Sequence, residues 1–96
     1  MDGGVFTRDG FISFKMAENG LEYSRFGFVV GQKISKKAVD RNTIKRRLSE
    51  AVFNHIKEIR SGVDIVILPS PQILNKEYSE IQKEIEGLLK KAKVLE

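Results

Sequence analysis

Residues 33–51 read KISKKAVDRNTIKRRLSEA, and this stretch predicts the loop and first turns of a strongly basic amphipathic helix. Asp40 is a candidate N-cap. With the helix running from Asp40 to about Arg60 and stopping at Ser61-Gly62, the apolar residues Ile44, Leu48, Ala51, Val52, Ile56 and Ile59 recur at steps of three and four. That stripe must face a core. Arg41, Lys45 and Arg46 fall away from it, with Arg41 and Lys45 one turn apart, so cations are expected to point outward together where the helix N-terminus also favours an anion. Between residues 25 and 47 stand eight cations, Arg25, Lys33, Lys36, Lys37, Arg41, Lys45, Arg46 and Arg47, against one acid, Asp40. The chain as a whole carries +4, so the local +7 leaves −3 for the remainder. Such a patch steers and holds a polyanion, and nucleic acid is the leading partner.

On either side of the basic stretch the pattern alternates between strand and helix. Phe11 to Met16 shows partial alternation with Phe-rich faces and reads as a strand, with Val5-Phe6 an earlier entry to the sheet. Glu18-Asn19-Gly20-Leu21 is a turn whose Asn-Gly pair suits positive φ. Arg25 to Gly31, RFGFVVG, is expected to be a strand antiparallel to the first. Beyond the basic helix, Val63 to Leu68 is β-branched and nearly all apolar, as an interior strand should be, and Pro69-Ser70-Pro71 ends it. Asn75 to about Val94 places Tyr78, Ile81, Ile85, Leu88, Leu89 and Ala92 on one stripe of a second amphipathic helix. Strands, helix, strand, helix predicts an α+β sandwich in a single domain over residues 1–96. Met1 to Gly4 is expected to be disordered, and Leu95-Glu96 is compatible with a vector-derived end.

Composition narrows the function classes. Ninety-six residues with 41% hydrophobic content support one modest core. There is no cysteine, which excludes disulfides, thiolate catalysis and the usual zinc frameworks and fits a reducing cytoplasm. No apolar run approaches the roughly 20 residues of a membrane span. One histidine and scattered acids give neither a two-metal carboxylate cluster nor a histidine pair, so no catalytic residue is assigned. His55 lies on the apolar stripe and reads as a buried or boundary histidine.

The block RFGFVVGQK at residues 25–33 followed by KKAVDRNTIKRRLSEAV at residues 36–52 resembles the signature of the bacterial ribonuclease P protein subunit. In that family a strand of the form FGF or GLSV leads to a Lys pair and then Ala-Val-x-Arg-Asn-x-x-Lys-Arg on a helix. The matching residues are Lys37, Ala38, Val39, Arg41, Asn42, Lys45 and Arg46, continued by Glu50 and Ala51. The similarity extends from Phe11 to about Lys91, and only this block is specific.

The resemblance implies a two-layer α/β sandwich with a mixed sheet of about four strands, a basic helix making a left-handed crossover, and a C-terminal helix. It implies that the catalyst is an RNA cleaving precursor tRNA at its 5′ end with Mg2+ held mainly by RNA, the protein binding that RNA and the 5′ leader. Lys33, Lys36, Lys37, Arg41, Asn42, Lys45, Arg46 and Arg47 would then contact the catalytic RNA, while Asn42 has the second reading of bracing the helix start. Phe11, Phe14 and Phe28 would line a leader groove on the sheet, because exposed aromatics stack on bases. Phe on strands is also ordinary core, and a one-residue slip in register reverses the answer.

Three departures from the family pattern stand out. The helix that usually precedes the first strand has no counterpart before Arg8, Ser49 stands where a further Arg is frequent, and Leu68-Pro69 stands for an Ala-Arg pair. Each lost cation is expected to weaken binding and flatten its salt dependence. Two rivals remain: a general RNA-binding or ribosome-associated module with no role in precursor cleavage, and a self-associating interaction domain whose basic patch serves solubility.

Overall fold

A computed structural model describes residues 5–92. The expectations for Met1 to Gly4 and for Leu95-Glu96 fall outside them. Four strands, β1 (Val5–Asp9), β2 (Ile12–Glu18), β3 (Arg25–Phe28) and β4 (Val63–Pro69), form one sheet in the order β1-β2-β4-β3. Two helices, α1 (Ala38–Phe53) and α2 (Tyr78–Lys91), cover it, with a short 3-10 turn at Pro71–Asn75 leading into α2. This is the expected α+β sandwich with a mixed sheet. The order within the sheet differs from expectation. β3 runs opposite to β2 but does not pair with it, because β4 lies between them, antiparallel to β2 and parallel to β3.

β4 occupies the centre because its sequence suits burial from both neighbours. Val63, Ile65 and Ile67 are buried on one face, and Asp64, Val66 and Leu68 are half-buried on the other. Register then assigns the faces of the flanking strands. Phe14 sits opposite Ile67 and Met16 opposite Ile65, while on the far side Phe26 pairs with Ile65 and Phe28 with Ile67. All of these side chains point toward the helices, since residues opposite one another share a face. Ile44, Leu48, Ala51 and Val52 of α1 and Ile81, Ile85, Leu88 and Leu89 of α2 complete the core, as their helical spacing predicts.

α1 is shorter than its apolar spacing suggests. It begins at Ala38, two residues before Asp40, and ends at Phe53 rather than near Arg60. The chain then tightens into turns through His55 N–H to Val52 C=O and Ile56 N–H to Phe53 C=O bonds, so Ile56 swings out and is exposed while Ile59 is buried from outside the helix. Asp40 is therefore not the cap. It sits inside the first turn and accepts a 3.0 Å hydrogen bond from the Ser35 hydroxyl.

The loops are pinned by side chains. Gly20 takes φ +71°, as the Asn-Gly pair predicts, and the Asn19 carboxamide accepts from Leu21 N–H at 2.7 Å and donates to Tyr23 C=O at 3.1 Å. In the β1–β2 turn Gly10 takes φ +48°, and the Glu84 carboxylate of α2 accepts from Phe11 N–H at 3.0 Å. Among the described residues no helix is long and apolar enough to cross a membrane.

Candidate nucleic-acid interface

The segment joining β3 to α1 is short of regular structure and rich in cations, and one serine organises it. Ile34 is buried and anchors the loop to the core, while Lys33, Lys36 and Lys37 around it are exposed. The Ser35 hydroxyl donates to Asp40 and accepts from Lys37 N–H at 3.2 Å, and the Ser35 carbonyl accepts from Arg41 Nη1 at 2.9 Å. Ser35 thus ties the lysine loop to the first turn of α1, and the loop presents its cations from a braced backbone.

The cations predicted to form one patch divide into three groups. Lys33, Lys36, Lys37, Lys45 and Arg46 are exposed. Arg41 and Arg47 are half-buried, and Arg41 is folded back onto Ser35 rather than pointing outward. The reason is helical geometry: Arg41 is three residues before Ile44 and seven before Leu48, on the side that turns toward the core. Arg25 belongs to a different site. Its Nε and Nη2 donate to the two oxygens of Asp64 at 2.8 and 2.7 Å, and Asn19 adds a third hydrogen bond to that carboxylate at 2.9 Å. The hydrogen bond from Arg25, followed by that from Asn19, holds the Asp64 carboxyl well below its ordinary value, at about 2, and the same pairing raises Arg25. Arg25 is therefore matched by a local negative charge.

Asn42 is exposed on the second turn, inside the helix and away from its start, so it neither caps nor braces the entry. Its side chain is exposed, as are those of Lys45 and Arg46 on the next turn.

The three ring positions proposed for a groove turn out differently. Phe14 has no accessible surface and Phe11 only 8%. Phe28 lies on the same inward face and packs against the core. Phe14 thus cannot offer its ring to a base, because the register turns it under the helices. The opposite face of the sheet, which carries Ser13, Lys15, Ala17, Gly27, Val66 and Leu68, is covered by neither helix, and a shallow hollow of about 230 Å³ lies there beside Arg25, Gly27, Asp64 and Val66. Sequence reasoning missed the exposed aromatics, Phe53 at 51% and Tyr23 at 60%. Phe53 stands edge-on to Phe26, with ring centres 6.2 Å apart. Its place just past the last buried residue of α1 was the available signal.

His55 is half-buried at the far end of α1, its Nδ1 3.1 Å from Glu58. It borders a cleft of about 490 Å³ between the end of α1 and α2, with Asn54, Ser79, Lys83 and Glu86 among the lining residues. This boundary position agrees with the sequence reading. The described residues contain no group of three or more His, Cys, Asp and Glu that could hold a metal ion.

A family model described as Ribonuclease P matches residues 2–93. The chain is 38% identical over 82 residues to the ribonuclease P protein component of a Synechocystis species, a match spanning 84% of this chain and 65% of the relative, just under two thirds of its length. It is 33% identical over 89 residues to that of a Pseudanabaena species, covering 92% of this chain and 77% of the relative. Among solved structures, the RNase P protein of Staphylococcus aureus superposes with a TM-score of 0.87 at 28% identity, over 97% of this chain and 84% of that one. The RNase P protein of Thermotoga maritima does so with a TM-score of 0.83 at 28% identity, over 93% of this chain and 84% of that one.

Proposed function

The chain belongs to the bacterial ribonuclease P protein component family, and from that premise we propose that it binds the catalytic RNA of ribonuclease P and assists removal of the 5′ leader of precursor tRNA. The observation that carries this reading is the set of exposed cations on one braced loop and helix start, Lys33, Lys36, Lys37, Lys45 and Arg46, with the Asn42 amide among them. Cations placed this way neutralise the phosphates of a folded RNA, and each contact releases counterions. Arg41 contributes by holding the loop through Ser35.

In this reading the phosphodiester chemistry belongs to the RNA and its Mg2+, as membership of the ribonuclease P protein family implies. The protein's part is electrostatic. Lowering the repulsion between catalytic RNA and precursor reduces the magnesium needed to bring them together. A leader strand, where it is held, is assigned to the uncovered sheet face around Lys15, Gly27 and Val66, since Phe14 is inaccessible.

The burial of Phe14 and Phe11 favours one second reading, a subunit that binds RNA without gripping the leader. One experiment separates the two. A labelled precursor tRNA is cleaved by a bacterial ribonuclease P RNA at limiting magnesium, with and without the protein, using substrates of decreasing leader length. Rescue that shrinks as the leader is trimmed supports both halves of the proposal. Rescue independent of leader length supports RNA binding alone, and binding without rescue points to another RNA target.

A further inference from the structure

Val39 is one of the residues of the matched block, and it has no role in the core. At 68% it is the most exposed of the large hydrophobic residues described, on the first turn of α1. Asn42 and Arg46, three and seven positions on, share its side of the helix and are also exposed, whereas Ile44, Leu48, Ala51 and Val52 face the opposite way into the core. Lys36 and Lys37 precede it and are exposed, and Lys45, also exposed, lies about 120° round the helix and a turn and a half further on. The Thr43 hydroxyl, one turn away, donates to the Val39 carbonyl at 2.9 Å and so is directed at the helix backbone rather than at a ligand. The result is an apolar side chain on a face that also carries Arg46 and the Asn42 amide, next to the lysines of the preceding loop.

Stability of the free protein does not account for it. A β-branched residue at an exposed helical position is a poorer helix former than alanine, and here it buries little in return. A single exposed apolar side chain is ordinary by itself; its setting beside exposed cations is what points to a partner, since a polyanion drawn onto those cations is brought down onto Val39 and removes it from water. Protein–protein interfaces concentrate their energy in a central desolvated group with a polar rim, and the same arrangement is open to a nucleic-acid partner here. The shallow groove of an RNA helix presents ribose edges between its phosphates and admits a short side chain.

We propose that Val39 is the apolar anchor of this surface, packing against ribose carbons in the shallow groove of folded RNA while Lys36, Lys37, Lys45 and Arg46 hold the flanking phosphates. The inference rests on the RNA-binding reading above and deepens it by naming an uncharged contact at its centre.

The test uses the fact that the two kinds of contact respond differently to salt. Binding of a bacterial ribonuclease P RNA is measured for the whole protein and for Val39→Ala, Val39→Ile and Lys45→Ala across a KCl series at fixed magnesium, with thermal unfolding of each. Val39→Ala is expected to keep or raise the melting temperature, to weaken affinity by about three- to tenfold at every salt concentration, and to leave the salt slope unchanged, while Val39→Ile retains affinity. Lys45→Ala weakens affinity and flattens the slope. Affinity of Val39→Ala within twofold of the parent, or a loss that disappears at high salt, overturns the anchor. If Lys45→Ala changes neither affinity nor slope, the basic surface is not the RNA contact and the functional reading falls as well. Should Val39→Ala instead dissociate a self-associated form with RNA affinity untouched, the valine faces protein and the inference is overturned.

Discussion

The division of the cations into exposed, braced and ion-paired groups makes a quantitative prediction about salt. Five of them, Lys33, Lys36, Lys37, Lys45 and Arg46, are exposed. If each neutralises one phosphate, and each contact contributes about 0.7 to 0.9 to the slope of log K against log salt, the parent protein has a slope of about −3.5 to −4.5. Raising monovalent salt from 50 to 200 mM then weakens binding about one hundred- to five hundredfold. Removing two contacts with Lys45→Ala and Arg46→Ala leaves three, and the same change in salt costs only about twenty- to fortyfold. Arg25→Gln should leave the slope at the parent value, because Arg25 is already matched by Asp64 at 2.7 Å. The assay is filter binding or fluorescence anisotropy with the catalytic RNA, magnesium held constant. A slope for Arg25→Gln as shallow as that of a single lysine variant would refute the partition, since it would mean that Arg25 leaves its carboxylate to hold a phosphate.

Further outcomes follow from the scaffold. Asp64 has a carboxyl held at about 2 in the folded state, below the roughly 4 of an unfolded chain, so its contribution is present above that range and is lost as the pH falls from about 4 toward 2; Asp64→Asn should abolish that portion of the acid unfolding profile followed by circular dichroism. Leu48→Ala should lower stability by about 2–5 kcal/mol in urea unfolding, because Leu48 is fully buried in the hydrophobic core. Gly10→Ala should be more damaging than Gly20→Ala: both positions have positive φ, but a Cβ at Gly10 meets the Glu84 carboxylate while one at Gly20 meets open space. Melting temperatures of the two variants check the order, and an equal loss would mean that Glu84 yields freely.

Much of the fold was legible because its signals are local. The run from Val63 to Leu68 could be little else than an interior strand, and the stripe from Ile81 to Leu89 names its own buried side. The basic loop and the first turns of α1 were equally plain from their charge. What failed depended on distance along the chain. The spacing that placed Ile56 and Ile59 on the helix stripe continues past Phe53, and only the turn bonds at His55 and Ile56 break it. Nothing near Arg25 announces that residues 63–69 will slide between β2 and β3. The direction of the Phe11, Phe14 and Phe28 rings hangs on that same pairing, so the proposed stacking surface could not be read before the register was known. Arg41 and Arg25 were counted with the patch because charge is visible in sequence and the partners of charge, Ser35 and Asp64, are not.

The central position of β4 also has a consequence for the order of assembly. During synthesis β1 and β2 can close as a hairpin as soon as they emerge, but among the described residues β3 pairs only with β4. The helix that follows the basic loop is therefore made before β4, which holds β3 in the sheet, and before α2, against which it packs. Until β4 and α2 have left the ribosome, Ile44 and Leu48 lack most of the core they pack into, and the lysines hang from a helix that draws most of its stability from that packing. Closing the sheet across this separation is a non-local step, of the kind whose loop-closure cost slows folding. A nascent chain halted before Val63 carries the charge of an RNA-binding protein without its geometry, attracting polyanions before it can orient them.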